Sequence, residues 1–250
     1  MIQEKILLAI PAFGGNVHLH CLRSIFGLLK NKAINDHYDL DFIGISNEAL
    51  ISRARQDLAK YAIDNNYDKI FFIDADISFT VEQFFSIVAG GKDVVAGTYM
   101  VKTLQSPRLN FNLFEDVNKE MIERYNVLPN TLEGFKVLQR EHARDNPIIK
   151  ARQVPTGFLC IATSVLNVLA NKVPFYYTNQ GTAFHHTPEE LEKMKVSELF
   201  PVSIQAGCLE SEDWGFCRLC QENNIDVYLH TGVVVEHHGS IVFHPKLFKF

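Results

Sequence analysis

The stretch KIFFIDADISF, residues 69–79, sets two carboxylates, Asp74 and Asp76, one residue apart at the end of a dense apolar run. Side chains alternate along an extended strand, so both acids can point the same way where the strand leaves its sheet. That carboxyl edge is where open α/β sheets bind ligands. Two carboxylates held there repel each other unless a cation sits with them. Hard oxygen donors favour Mg2+ or Mn2+, ions that also grip phosphate oxygens. The plainer alternative is a pair of solvated loop acids ahead of a helix beginning near Thr80. The apolar run directly before them favours a site.

The surrounding elements must hold these acids in place. KILLAI (5–10) reads as a buried strand closed by Pro11 and Gly14-Gly15, and DLDFIGI (39–45) as a second strand. Between them, residues 18–30 place Leu22, Ile25, Phe26 and Leu29 at helical spacing. From Ser52, a candidate N-cap, to Asn65 a further helix turns Ala54, Leu58, Tyr61 and Ala62 to one face. The acid-bearing strand follows, then a helix over about 80–88 and a strand in DVVAGTYMV. This βαβαβαβ order predicts a mostly parallel sheet covered by helices. Residues 104–150 read as hairpins or loops, 154–170 as a strand and a helix, and 171–207 as loop-rich, with a mobile stretch at NQGTAFHHTPEE. A helix over 211–223 and one or two strands ending in His237-His238 complete the chain.

At 250 residues and 47% hydrophobic content the chain can bury a substantial core. A formal net charge of -5 without blocks of like charge advertises no general nucleic-acid surface. The apolar run before Pro11 is too short for a leader or a membrane span, so a soluble, cytoplasmic protein without a transmembrane segment is expected. Five scattered cysteines suit reduced thiols, and Cys217 and Cys220 read as structural residues within a helix.

IFFIDADISF resembles the DxD segment of GT-A-type glycosyltransferases, where the acids hold a divalent cation on the diphosphate of a nucleotide-sugar. IPAFGGNVHLHCLRSI, SRARQDLAKYAI, TGFLCIATSVLNVL, SEDWGFCRLCQENNIDVYL and EHHGSIVF occur in the order seen in a bacterial and bacteriophage group of family-2-like transferases. The resemblance implies a GT-A-like (Rossmann-like) α/β fold in one domain over 1–250. Residues 1–100 would be its nucleotide-sugar half, and 101–250 its irregular acceptor-binding and catalytic half. It also implies a metal-dependent transferase, cytoplasmic in a bacterium or in a virus's host. The donor would be a nucleoside-diphosphate sugar and the cofactor Mn2+ or Mg2+. The acceptor would be a glycan, a protein or a modified nucleic-acid base. Pro11, Ala12 and Phe13 would meet the nucleotide base, Asn47 the nucleoside, and Arg53 and Arg55 the phosphates or base, with Gln56 where Asn is commoner. Asp74, Ala75 and Asp76 would line the donor site. The metal would be held by Asp74, Asp76 and His237, with His238 facing the other way. Asp213, with Glu212 as neighbour or substitute, would be the base of an inverting reaction. Trp214 is either an acceptor platform or core.

Other readings of these residues remain open. A haloacid-dehalogenase-like phosphatase also carries DxD after an apolar strand, with the first acid as nucleophile, although Ser78 stands where Thr or Val is usual. A non-catalytic nucleotide-sugar-binding module is a third class. No HExxH or paired CxxC supports a zinc hydrolase, and AFGGN is not a dinucleotide fingerprint.

Overall fold

The computed structural model describes residues 3–142, 146–178 and 187–247. The chain opens with β1 (Glu4–Ala12), α1 (Leu19–Leu29), α2 (Lys32–Asn35), β2 (Tyr38–Ser46), α3 (Ile51–Asp64) and β3 (Lys69–Ile73). The acids follow β3 at once, before the short β4 (Ile77–Ser78), α4 (Val81–Val88) and β5 (Val94–Thr98). Then come α5 (Glu115–Tyr125), α6 (Leu132–His142), β6 (Ile148–Lys150), β7 (Phe158–Ala162), α7 (Thr163–Ala170) and β8 (Phe175–Tyr177). The last stretch holds α8 (Pro188–Met194), β9 (Lys195–Ser197), β10 (Ser203–Gln205), β11 (Cys208–Glu210), α9 (Glu212–Glu222), β12 (Tyr228–Val234), β13 (Glu236–His238) and β14 (Val242–Phe243).

Seven strands form the central sheet in the order β2-β1-β3-β7-β5-β12-β6. Strands β2, β1, β3, β5 and β12 share one direction, while β7 and β6 run against their neighbours. This is the α/β, mostly parallel and helix-flanked architecture that the alternating pattern predicts. The inner strands are apolar on both faces because helices cover both. Leu7, Ala9, Ile70, Phe72, Leu159 and Ile161 enter one core cluster. Their alternate neighbours Ile6, Leu8, Phe71, Ile73, Phe158 and Cys160 enter the other. Pro11 lies inside β1 rather than closing it. The pairing of β1 with β3 ends at Ala9, so no donor is required of Pro11 on that side.

Several expectations are corrected. The buried stripe of α1 is Cys21, Ile25 and Leu28, which leaves Phe26 exposed. Ser52 does not cap α3: Leu50 is the N-cap, and Glu48 accepts from the Leu50 N–H instead. Buried positions of α3 include Arg55 and Gln56, whereas Tyr61 is exposed. The region 104–150 holds α5 and α6 rather than hairpins, anchored by Met121 on the first and by Leu132, Phe135 and Leu138 on the second. Residues 179–186 of the stretch expected to be mobile lie outside the described residues. No helix among the described residues is long and apolar enough to cross a membrane.

Beyond the main sheet, β4, β13 and β14 form a small sheet that lays His237 opposite Ile77. A hairpin of β10 and β11 turns through Ala206 and Gly207, both at positive φ. The twist of a two-residue hairpin needs that backbone. It leaves Ile204 and Leu209 paired across the strands and exposed, with Cys208 exposed beside them.

Candidate active site

The acids sit in a loop whose main chain is tied down on every side. The Asp74 N–H donates to Gly157 O at 2.9 Å, and Asp74 O accepts from the Ile77 N–H at 3.0 Å. Ala75 O accepts from the N–H of His18, and Asp76 O from the N–H of His238, at 2.7 and 2.8 Å. Thus the residue before β7, the N-cap of α1 and β13 all grip the same three residues. Gly157 is required by close approach: a Cβ there would stand 2.5 Å from Asp74 Oδ2 and 2.6 Å from the Tyr99 hydroxyl.

The two carboxylates do not share one partner. Asp74 Oδ1 accepts from Arg55 Nη2 at 2.7 Å, and Arg55 Nε lies 3.6 Å from Glu212 Oε1. Arg55 is 3% exposed, and its Nε and Nη1 have no hydrogen-bond partner among the described residues. One buried guanidinium therefore links the acid at the end of β3 to the acid opening α9. Burial works against its charge, but Asp74 and Glu212 outweigh that and keep its pKa above the ordinary value. Asp76 faces the other way. Its Oδ2 accepts from Lys102 Nζ at 2.5 Å, and its Oδ1 lies 3.5 Å from His237 Nε2. Burial would raise the Asp76 pKa, yet hydrogen bonds from His237 and Lys102 and their charges prevail and hold it at about 2.

The two histidines of EHHGS separate. His237 Nδ1 lies 2.9 Å from Met100 O, which can only accept, so Nε2 is the nitrogen turned toward Asp76. His238 is buried, 2.7 Å from Ser78 Oγ, and stacks on His18 and His20 with ring centroids 4.3 and 4.9 Å away.

At the start of α9, Gly215 lets the helix press against Pro201, whose carbonyl would collide with any Cβ there. Asp213 Oδ1 accepts from Ser211 Oγ and from the Trp214 N–H; its Oδ2 accepts no hydrogen bond among the described residues. Burial pushes the Asp213 carboxyl up, opposed by the Ser211 and Trp214 hydrogen bonds. Burial likewise raises Glu212, opposed by Arg55.

A cavity of about 670 Å3 is lined by Pro11, Phe13, Arg55, Asp74, Asp76, Glu212 and His237, with Ala75 also on its wall; Asp213 and Lys102 stand next to lining residues but not on the wall themselves. Ala12 is buried and absent from the wall. Asn47, at φ 60°, stands against Gly15 and is absent from the cavity wall. Arg53 is not part of this constellation: it is 48% exposed and paired with Glu48 at 2.6 Å. Trp214 is half-buried and absent from the cavity wall. Lys102 and Tyr99 escape sequence reasoning, since a lone Lys and a lone Tyr after a strand carry no motif.

A divalent cation bound by Asp74, Asp76 and His237 needs all three converging at about 2.0–2.2 Å. Asp74 is turned onto Arg55, and Lys102 already holds one oxygen of Asp76. Among the described residues no three His, Cys, Asp or Glu side chains converge as a metal site. This arrangement does not fit the expected three-ligand centre, because each acid is compensated by its own protein cation.

No protein-family model matches the chain, and no curated protein sequence matches it. The crystal structure of A197 from STIV matches over 97% of this chain and 91% of its own, with a TM-score of 0.52 and 14% sequence identity. The two chains share a fold. A 4-diphosphocytidyl-2C-methyl-D-erythritol synthase from Anaerococcus prevotii DSM 20548 matches over 72% of this chain and 83% of its own, at 11% identity and a TM-score of 0.35. That likeness is too distant to carry an argument.

Proposed function

We propose that the protein transfers a sugar from a nucleoside-diphosphate sugar to an acceptor hydroxyl, with Asp213 as general base and inversion at the anomeric carbon. The observation that supports this reading is the buried Arg55, which joins Asp74 of the DxD segment to Glu212, the acid next to Asp213 at the start of α9, on the wall of one cavity. On this reading the donor lies against the cavity wall that Asp74, Asp76 and Glu212 form, and the base is the residue next to Glu212 in the first turn of α9.

The chemistry follows from the groups present. The acceptor oxygen bonds to the anomeric carbon as its proton passes to Asp213 Oδ2. The bond from that carbon to the diphosphate breaks, and its electron pair stays on the phosphate oxygen. A carboxylate whose pKa is raised by burial is a better base than a solvated one. Glu212 is the poorer choice, because its charge is spent on Arg55. The same ion pairing disfavours the phosphatase reading, which needs Asp74 free to attack phosphorus, whereas Arg55 engages it directly. A binding module would have no use for a carboxylate oxygen left without a hydrogen bond among the described residues, as Asp213 Oδ2 is at the start of α9.

The test is Asp213→Asn with a panel of UDP-, GDP-, CDP- and dTDP-sugars. Release of nucleoside diphosphate should fall by about 10²- to 10⁴-fold, the usual worth of a general base. Stabilisation by the nucleotide in a thermal-shift assay should be unchanged. Full activity in this variant would remove Asp213 from the mechanism.

A further inference from the structure

We infer that Lys102 supplies the positive charge that receives the departing diphosphate, standing where the paired acids would otherwise hold a divalent cation. The inference rests on the nucleotide-sugar reading above and goes beyond it, because it replaces the metal expected from the sequence by a residue of the chain.

The geometry points this way from three directions. First, Lys102 Nζ sits on the very carboxylate, Asp76, that forms the wall of the cavity, and both side chains are partly open to solvent. An ammonium has three donors. Only one is used among the described residues, so two remain for phosphate oxygens. Second, this is not a wandering surface lysine. Residues 99–101 are fixed by hydrogen bonds from the Asn110 N–H to Tyr99 O, from His237 to Met100 O and from the Val101 N–H to Arg108 O, all 2.9 Å. The aliphatic stem then runs past Gly239, where a Cβ would meet Cδ at 3.5 Å and Cε at 3.7 Å. Third, a divalent cation on Asp76 would have to share one carboxylate with an ammonium already in contact with it. Like charges at that separation repel strongly, so ion and lysine exclude one another.

Asp76 then acts as a holder. It keeps the ammonium behind the cavity wall that Asp76 forms until a diphosphate arrives, and His237 remains beside Asp76 when Lys102 turns to the phosphate. As the bond to the sugar breaks, the leaving group gains one unit of negative charge. One fixed cation matches that gain. The first acid plays no part in this exchange, because Arg55 has already neutralised it.

Two titrations on the intact protein test the inference. UDP, GDP, CDP and dTDP are titrated against the wild type, Lys102→Met and Lys102→Arg in EDTA and again with Mn2+; Mn2+ alone is then titrated calorimetrically. One diphosphate should bind the wild type in EDTA. Lys102→Met should bind it roughly tenfold to a hundredfold more weakly, the worth of a charge-assisted hydrogen bond, while Lys102→Arg retains most of the affinity. Lys102→Met, freed of the competing ammonium, should bind Mn2+ alone about tenfold more tightly than the wild type. Unliganded melting temperatures of the variants separate loss of folding from loss of binding. A diphosphate that binds the wild type only when Mn2+ is present overturns the inference and leaves the donor reading standing. Undiminished binding to Lys102→Met in EDTA does the same. No binding by any diphosphate, with or without Mn2+, fails the donor reading itself and the inference with it.

Discussion

Arg55 shows how much a buried charge can organise. A guanidinium taken out of water must be met by opposite charge, and here the answering carboxylates come from two elements far apart in the chain. The same burial sets the protonation behaviour of the site. Glu212 and Asp213 are raised, so the native state holds their protons more tightly than the unfolded chain. Their contribution to stability is present at low pH and lost as pH rises through the raised values. Asp76 has the opposite sign: its contribution is present above the usual carboxylate range and lost as pH falls toward about 2. For turnover the consequence is direct, since a base must be deprotonated. The acid limb of kcat/KM should lie above the ordinary Asp value of about 4, and it should disappear in Asp213→Asn. A limb at or below that value would place the base elsewhere.

Elements divide sharply in how far they could be read beforehand. The strand β3 and the helix α4 are legible because each uses strong local rules: an unbroken apolar run, and Thr80 with Gln83 in a reciprocal cap. Losing that cap in Thr80→Ala should cost about 1 kcal/mol, read as a lower melting temperature with nucleotide affinity unchanged. By contrast α5 reads as loop because its eleven residues bury only Met121 completely, and nearby Pro and Asn residues signal turns. The cue that could have found it is Asn126, which ends the helix in the left-handed conformation at φ 54°. In the site, the placement of Asp74, Asp76, Glu212 and His237 around one space follows motifs visible in the chain. The pairing of Asp74 with Arg55 and of Asp76 with Lys102 does not. Long-range ion pairs depend on which loops the sheet order brings together, and no local pattern records that.

At the scale of the molecule the unusual member is β7, which runs against β3 and β5 and closes the sheet between them. It carries Phe158 into a cluster with Phe71 and Phe79, at centroid distances of 4.8 and 5.0 Å, directly after the glycine beneath Asp74. Stability and site geometry therefore meet on one strand. Phe158→Ala should lower stability by about 3–5 kcal/mol, seen as a reduced denaturation midpoint with an unchanged m-value. The overall architecture was predictable from the alternation of strands and helices. The reversed β7 was not, because a fully buried strand looks the same whichever way it runs.

The thiols of this molecule have a practical consequence. Cys21, Cys160, Cys217 and Cys220 are buried, and burial pushes Cys21, Cys160 and Cys217 up to about 12 and Cys220 upward as well, so none offers a thiolate at neutral pH. Cys208 alone is exposed, on the hairpin that runs straight into the helix bearing Asp213. Without any engineering, the native chain therefore behaves toward a maleimide dye as a single-cysteine protein. The label lands four residues before Glu212 opens α9, where its emission can report on changes around Glu212 and Asp213 when candidate ligands are added.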